Sequence, residues 1–233
     1  MSDDLNFETC VFLSSNKFII SVYTEANLKV YEEHFLINDS LKNIDFLKLD
    51  FFLNENIFKI EKKIKKFVNK VYLILDLDTF FSIGISIKKT DYDGLLSSEN
   101  LTDLLYEAKN CCKKTLDKKK IIHMIIDRYL VNNKSYSTMP ENLRCSSFSL
   151  DIQFICVSNE IVNKIVEIFK KYHISLNQIV SGEYIKKFLT QKEVDMYLIT
   201  KKLINGHNPN EIILIDKTDK KPGFFEKFFN FFN

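Results

Sequence analysis

The chain has 233 residues, 45% of them apolar and 27% charged, which is enough to bury a real core and excludes a disordered chain. Its 33 basic residues against 31 acidic ones leave a net charge of +2, which excludes a duplex nucleic-acid binder that relies on a whole-surface positive field. Five glycines and three prolines exclude collagen-like and linker-rich architectures.

The first residues, Met1-Ser2-Asp3-Asp4, are polar and acidic. No basic region followed by an apolar one is present, so no secretory signal is expected. No uninterrupted apolar run is long enough for a membrane-spanning helix, which needs about 18 residues. The five cysteines, Cys10, Cys111, Cys112, Cys145 and Cys156, show no CxxC spacing. They read as reduced thiols in a cytoplasmic protein.

Strands are predicted over 10–13 and 18–23, joined by the polar turn Ser14-Ser15-Asn16, and over 28–37. Ile57, Ile60, Ile64, Phe67 and Val68 recur at helical spacing. The short apolar run 71–75 reads as a buried strand. Next, Phe81, Ile83, Ile85 and Ile87 alternate with Ser82, Gly84, Ser86 and Lys88, the pattern of a half-buried strand. A helix follows with Leu101, Leu104, Leu105, Ala108 and Cys112 on one face. A strand over 121–126 extends or pairs with 129–131, and a loop carries Met139 and Pro140. Alternation returns at Phe148, Leu150, Ile152, Phe154 and Cys156. A helix then places Ile161, Val162, Ile165, Ile168, Phe169 and Tyr172 on one face. A strand over 174–180 and a helix over 182–189 come next, and Thr190 to Glu193 reads as a capping box for one more helix through Ile204. The class is α/β (α+β), with at least one sheet solvated on one face.

Residues 216–222 read as a charged linker that ends in Pro222. Residues 223–233 read as an amphipathic helix. Phe224, Phe225, Phe228, Phe229, Phe231 and Phe232 fall within an arc of roughly 160°, and Glu226, Lys227, Asn230 and Asn233 fill the rest. At about 15 Å such a helix is too short to cross a bilayer, but it can lie in the interface. The six phenylalanines with Lys227 are therefore the candidate membrane-binding residues. The alternative is that this face docks on a protein, its own domain included.

Residues for catalysis or metal binding are sparse. His34, His123, His173 and His207 do not pair at ligand spacing with each other or with cysteine. No Walker A, G-x-G-x-x-G or G-x-S-x-G sequence occurs. Asp76 and Asp78 follow a strand, where carboxylates could hold a metal, but turn chemistry explains them as well. The lysine groups at 59–66 and 113–120 are interleaved with acids and read as solvated helix faces. No catalytic residue and no metal site are expected.

From Phe81 to about Leu189 the chain resembles the actin-like bacterial cell-division protein family FtsA. The resemblance rests on Ile121-Ile122-His123-Met124-Ile125, Tyr129-Leu130-Val131-Asn132, Met139-Pro140, the strand from Leu150 to Ile155, and His173-Ile174-Ser175-Leu176-Asn177-Gln178-Ile179-Val180. It implies a partial actin-like lobe. Residues 1–78 would be its first part, 79–173 an inserted strand–helix–strand–strand subdomain, and 174–215 the return to the lobe. In that family an aromatic C-terminal helix binds the membrane, and 223–233 looks like it. The family's acid- and glycine-bearing phosphate loop is replaced here by Phe12-Leu13-Ser14-Ser15-Asn16-Lys17, and about 45 residues follow where the family has a second lobe. The resemblance thus implies that ATP binding is lost and that no cofactor is held. It also implies a peripheral protein on the cytoplasmic side of the inner membrane, at midcell during division. Its partners would be membrane lipid, further copies of itself and division proteins, FtsZ among them, with no nucleic acid. Alternatives are a pilus-assembly-type actin-like adaptor, a soluble interaction module whose aromatic helix binds a partner, and a nucleotide-dependent ATPase working as a dimer.

Overall fold

The computed structural model describes residues 6–38, 43–90, 92–140, 143–190 and 195–212. The linker 216–222 and the aromatic segment 223–233 lie outside the described residues, and so do Gln191, Lys192 and Glu193 of the expected capping box. The fold is mixed α/β, as the sequence predicts. The described residues form two compact units, one comprising 6–80 and 157–202, the other 81–156 and 203–212.

The first unit is built on a five-stranded sheet. β1 (Phe7–Ser14), β2 (Lys17–Thr24) and β3 (Lys29–Leu36) form an antiparallel meander. β4 (Lys70–Asp76) runs parallel to β1, and β11 (Ser175–Ser181) runs parallel to β4. The order across the sheet is β11-β4-β1-β2-β3. Parallel strands need crossover connections, and α1 (Phe46–Ile64) supplies the one into β4. Asp45 caps α1 by accepting from the N–H groups of Leu47 and Lys48. Its buried face is Leu49, Phe52, Leu53, Asn56, Ile57 and Ile60. Phe52 joins Phe18 and Phe35 in a cluster with ring centroids about 6 Å apart.

The helix departs from its expected position at both ends. It starts at Phe46 and stops at Ile64, because Lys65 takes a left-handed conformation with φ 56°. Phe67, expected on the buried stripe, lies beyond that stop and is 80% exposed. α3 (Asn159–Lys171) packs on α1. Lys171 pairs with Asp50 at 2.6 Å, and Tyr172 Oη donates to the same carboxylate at 2.9 Å. α3 therefore belongs with the first unit, although the sequence groups it with the inserted 79–173.

On the opposite face of the sheet lies α5 (Met196–Ile204). Its cap is Asp195, whose Oδ1 accepts from Tyr197 N–H at 2.9 Å, while its Oδ2 accepts from Tyr23 Oη at 3.0 Å. The Tyr23 and Tyr197 rings stack at 3.8 Å. Tyr197 Oη donates to Glu8, which also pairs with Lys201 at 2.9 Å. Burial first, then Asp195, pushes the Tyr23 hydroxyl and the Cys10 thiol upward, so both stay protonated.

The second unit carries a four-stranded sheet, β5-β10-β7-β8. β5 (Phe81–Lys89), α2 (Ser98–Thr115), β7 (Lys119–Val131) and β10 (Phe148–Ser158) follow in the expected strand–helix–strand–strand order. The segments 121–126 and 129–131 form one continuous strand, β7. β8 (Lys134–Tyr136) returns along it through Asn132 and Asn133, with φ 48° and 63°. Two positive φ values in a two-residue loop match the twist of a hairpin, and asparagine tolerates them. A two-stranded ribbon of β6 (Gly94–Leu95) and β9 (Arg144–Cys145) has no counterpart in the sequence reading. The residues after α5 close on β7. Ile126 N–H donates to Asn210 O at 2.9 Å, Ile212 N–H donates to Met124 O at 2.8 Å, and Glu211 holds buried His123 at 2.7 Å. His123 thus has a structural role.

Candidate functional site

In a sheet with parallel strands, the carboxyl ends of the strands form the usual ligand crevice. Here that edge collects the ends of β1, β4 and β11: Ser14, Asp76 and Ser181. The register sets Ser14 beside Asp76, and Leu75 beside Ser181. The edge includes the β1–β2 hairpin, where the resemblance places a phosphate loop.

Among the described residues, Ser14, Asp76 and Ser181 at this edge all have partners within the chain, and one buried hydroxyl beside them has none. Ser14 Oγ donates to Asn16 Oδ1 at 2.7 Å and accepts from Lys17 N–H at 3.1 Å. The hairpin is thereby closed by its own serine. Asp76 is bound by Lys186 Nζ through both oxygens, at 2.7 and 2.8 Å. Lys186 comes from α4 (Gly182–Lys186), which Ser181 caps by accepting from Tyr184 N–H. Gly182 lies directly against Asp76, since a Cβ there would sit 2.7 Å from Asp76 Cβ. The exception is Thr79, three residues past Asp76, whose buried Oγ1 has no partner among the described residues. One hydroxyl is no phosphate cradle, which needs several converging N–H donors or cations. The residues present do not fit a nucleotide phosphate, and no step through one follows from them.

The other residues singled out from sequence are spread apart. Asp78 is exposed. His34 Nε2 lies 3.0 Å from Glu32, on the edge strand β3. Lys59 pairs with Glu55, and Lys63 lies over the Tyr31 ring, as solvated helix faces do. Cys112 and Cys156 are buried and in contact. Burial, then Cys112, pushes the Cys156 thiol up to about 12, which makes it a poor nucleophile. Among the described residues no three His, Cys, Asp or Glu side chains are grouped so as to hold a metal. No helix among them is long and apolar enough to cross a membrane. The expected membrane residues Phe224, Phe225, Lys227, Phe228, Phe229, Phe231 and Phe232 lie outside the described residues. Sequence reasoning missed the Asp76–Lys186 pair and the packing role of Gly182. A glycine directly after a strand and before a short helix is the one local signal for them.

No protein-family model matches the chain, and no curated protein matches it. Solved structures of similar fold include the cytoplasmic domain of EpsL, an inner membrane component of the type II secretion system of Vibrio cholerae. The TM-score is 0.38 at 11% identity, over 77% of this chain and 57% of that one. A second is the PilM–PilN type IV pilus biogenesis complex, with a TM-score of 0.43 at 7% identity, over 78% of this chain and 49% of that one. A third is a Bacteroides thetaiotaomicron protein with an actin-like ATPase fold and unknown function, with a TM-score of 0.36 at 14% identity, over 78% of this chain and 55% of that one. This chain spans about half the length of these structures.

Proposed function

We propose that the chain is an actin-like adaptor without ATPase activity, serving a protein assembly on the cytoplasmic side of a membrane. The observation that carries this reading is the edge of the five-stranded sheet where the Asp76 carboxylate and the β1–β2 hairpin are bound by the chain's own groups. Asp76 is neutralised by Lys186 and pressed against Gly182, and the β1–β2 hairpin is closed by Ser14. An edge whose charges cancel internally is suited to rigidity rather than to binding and releasing a nucleotide. The assembly we favour is of the pilus or secretion type, the kind to which EpsL and PilM belong by their descriptions. PilM is described in complex with PilN, and a protein partner is likewise proposed here. Isothermal titration of the full chain with magnesium and ATP tests the loss of nucleotide binding. No saturable heat at millimolar ATP is expected, and micromolar affinity would overturn the proposal.

A second reading is the division adaptor, anchored by Phe224 to Phe232 and working with FtsZ. The aromatic segment 223–233 favours it. Fluorescent fusions of the full chain and of residues 1–221 separate the two. A midcell band that becomes diffuse on truncation supports division, whereas a polar or diffuse full-length protein supports the pilus or secretion reading.

A further inference from the structure

We infer that the outer edge of β5 is a self-association surface, at which two copies of the chain pair antiparallel about Ile85 and join their four-stranded sheets into one.

β5 is the terminal strand of its sheet, nine residues long and paired with β10 along its whole length. Among the described residues nothing pairs with its other side. Such an edge exposes a row of unused N–H and C=O groups and templates another strand unless it is guarded. The usual guards are absent from the middle of β5. It contains no proline, and its lysines, Lys88 and Lys89, stand at one end.

The inward row confirms that the edge is open. On β10, Leu150, Ile152 and Phe154 are fully buried. Their partners on β5, Ile87, Ile85 and Ile83, are only half-buried, although they pack on the same core. Phe81, at the end of this row, is 43% exposed. A neighbouring strand on the free side would complete their burial.

The sequence of β5 is complementary to itself. Pairing about Ile85 sets Ile83 opposite the second copy's Ile87, and Ile85 opposite its own equivalent. Phe81 then faces Lys89, a cation–aromatic pairing. On the solvated face Gly84 meets Ser86, and Ser82 meets Lys88. No like charges oppose each other. Gly84 has open space around its missing side chain, so a neighbour can approach closely. The terminal strand β3 of the five-stranded sheet is different. Glu32 and Glu33 occupy its middle, and pairing about that centre would oppose them.

Sedimentation velocity of the full chain over a concentration series tests this surface, independently of the adaptor reading. A reversible dimer is expected. Ser82→Lys sets two lysine pairs against each other per dimer and should weaken association roughly tenfold. Ser82 is exposed, so the monomer fold should survive, as circular dichroism would check. Adding Lys88→Glu to Ser82→Lys should restore the dimer. Ser82→Glu alone should tighten it. A chain that stays monomeric, or a dimer indifferent to Ser82→Lys, overturns the proposal. So does a dimer that forms only when the chain is cut after Lys221, because the edge would then be covered by the chain's own tail.

Discussion

The two sheets bury their strands differently. In the five-stranded sheet burial runs through neighbouring residues: Ile20, Val22 and Tyr23 on β2, and Leu73, Ile74 and Leu75 on β4, are each at 2% exposure or less. α1 and α3 cover one face of that sheet, and α5 covers the other. In the four-stranded sheet burial alternates along β5 and along β10 as far as Phe154, whereas His123–Ile126 on β7 and Phe154–Val157 on β10 are buried without a break. Along β10 Leu150, Ile152 and Phe154 are buried, while Asp151 and Gln153 between them are partly open. There Asp151 accepts from Arg128 at 2.7 Å, and a hydrogen bond from Ser86, then Arg128, holds its carboxyl below the usual range. A strand covered by helices on both faces must be mostly apolar on both, whereas a strand with one wet face needs only every second residue. The first unit therefore reads as a rigid scaffold, and the second offers a polar face and an open edge.

The sharpest break of this contrast comes from paired core substitutions. In the first sheet Leu73→Ala and Ile74→Ala, on opposite faces, should each cost about 2–5 kcal/mol. In the second, Phe154→Ala should cost about 3–5 kcal/mol, and its neighbour Gln153→Ala within about 0.5 kcal/mol of nothing. Chemical denaturation of the four variants measures this. Equal losses at Phe154 and Gln153 would mean that the four-stranded sheet is covered on both faces.

A smaller effect is expected at the edge where the scaffold has closed its crevice. Gly182→Ala pushes a methyl group to within 2.7 Å of Asp76. The nearest atom is Asp76 Cβ, so the whole of Asp76 and its backbone must shift, and its two contacts with Lys186 loosen. A loss of about 1–3 kcal/mol is expected by denaturation, typical of overpacking. A neutral result would show that this edge is soft and would weaken the case against nucleotide binding.

The same contrast explains what the sequence discloses. Where one face is wet, the pattern is plain. The rows Phe81 to Ile87 and Phe148 to Phe154, and the α2 face from Leu101 to Cys112, are all found as read. Where both sides are apolar, the pattern blurs. α1 carries exposed Leu47, Phe51 and Phe58 as well as its buried stripe, so its first turns do not stand out. Its stop is equally hidden, because the left-handed residue is a lysine rather than a glycine. Ribbon strands of two residues, β6 and β9, have no local period at all. At the candidate site, Asp76 and Lys186 stand 110 residues apart. Only the strand order brings them together, so neither residue alone announces the pair.

The smallest effect belongs to the guarded edge of the first sheet. Glu32 on β3 is held by Lys29 at 2.5 Å, by His34 at 3.0 Å and by Ser21 at 3.2 Å. Desolvation alone would raise its carboxyl, but the hydrogen bonds from His34 and Lys29, with the charge of Lys29, outweigh it and hold the group at about 2 instead of 4.5. A carboxyl depressed by folding adds stability above its unfolded value, and that stability is lost as pH falls from about 4.5 towards 2. Water screens this site, since the Glu32 side chain is 32% exposed, so the gain is about 1 kcal/mol or less. Glu32→Gln should therefore lie below the parent chain at pH 6 and converge with it near pH 2, in denaturation curves taken at each pH. Parallel curves across that window would mean that the carboxylate does not titrate with folding. Glu32 would then guard the β3 edge by charge alone and add nothing to the stability of the sheet.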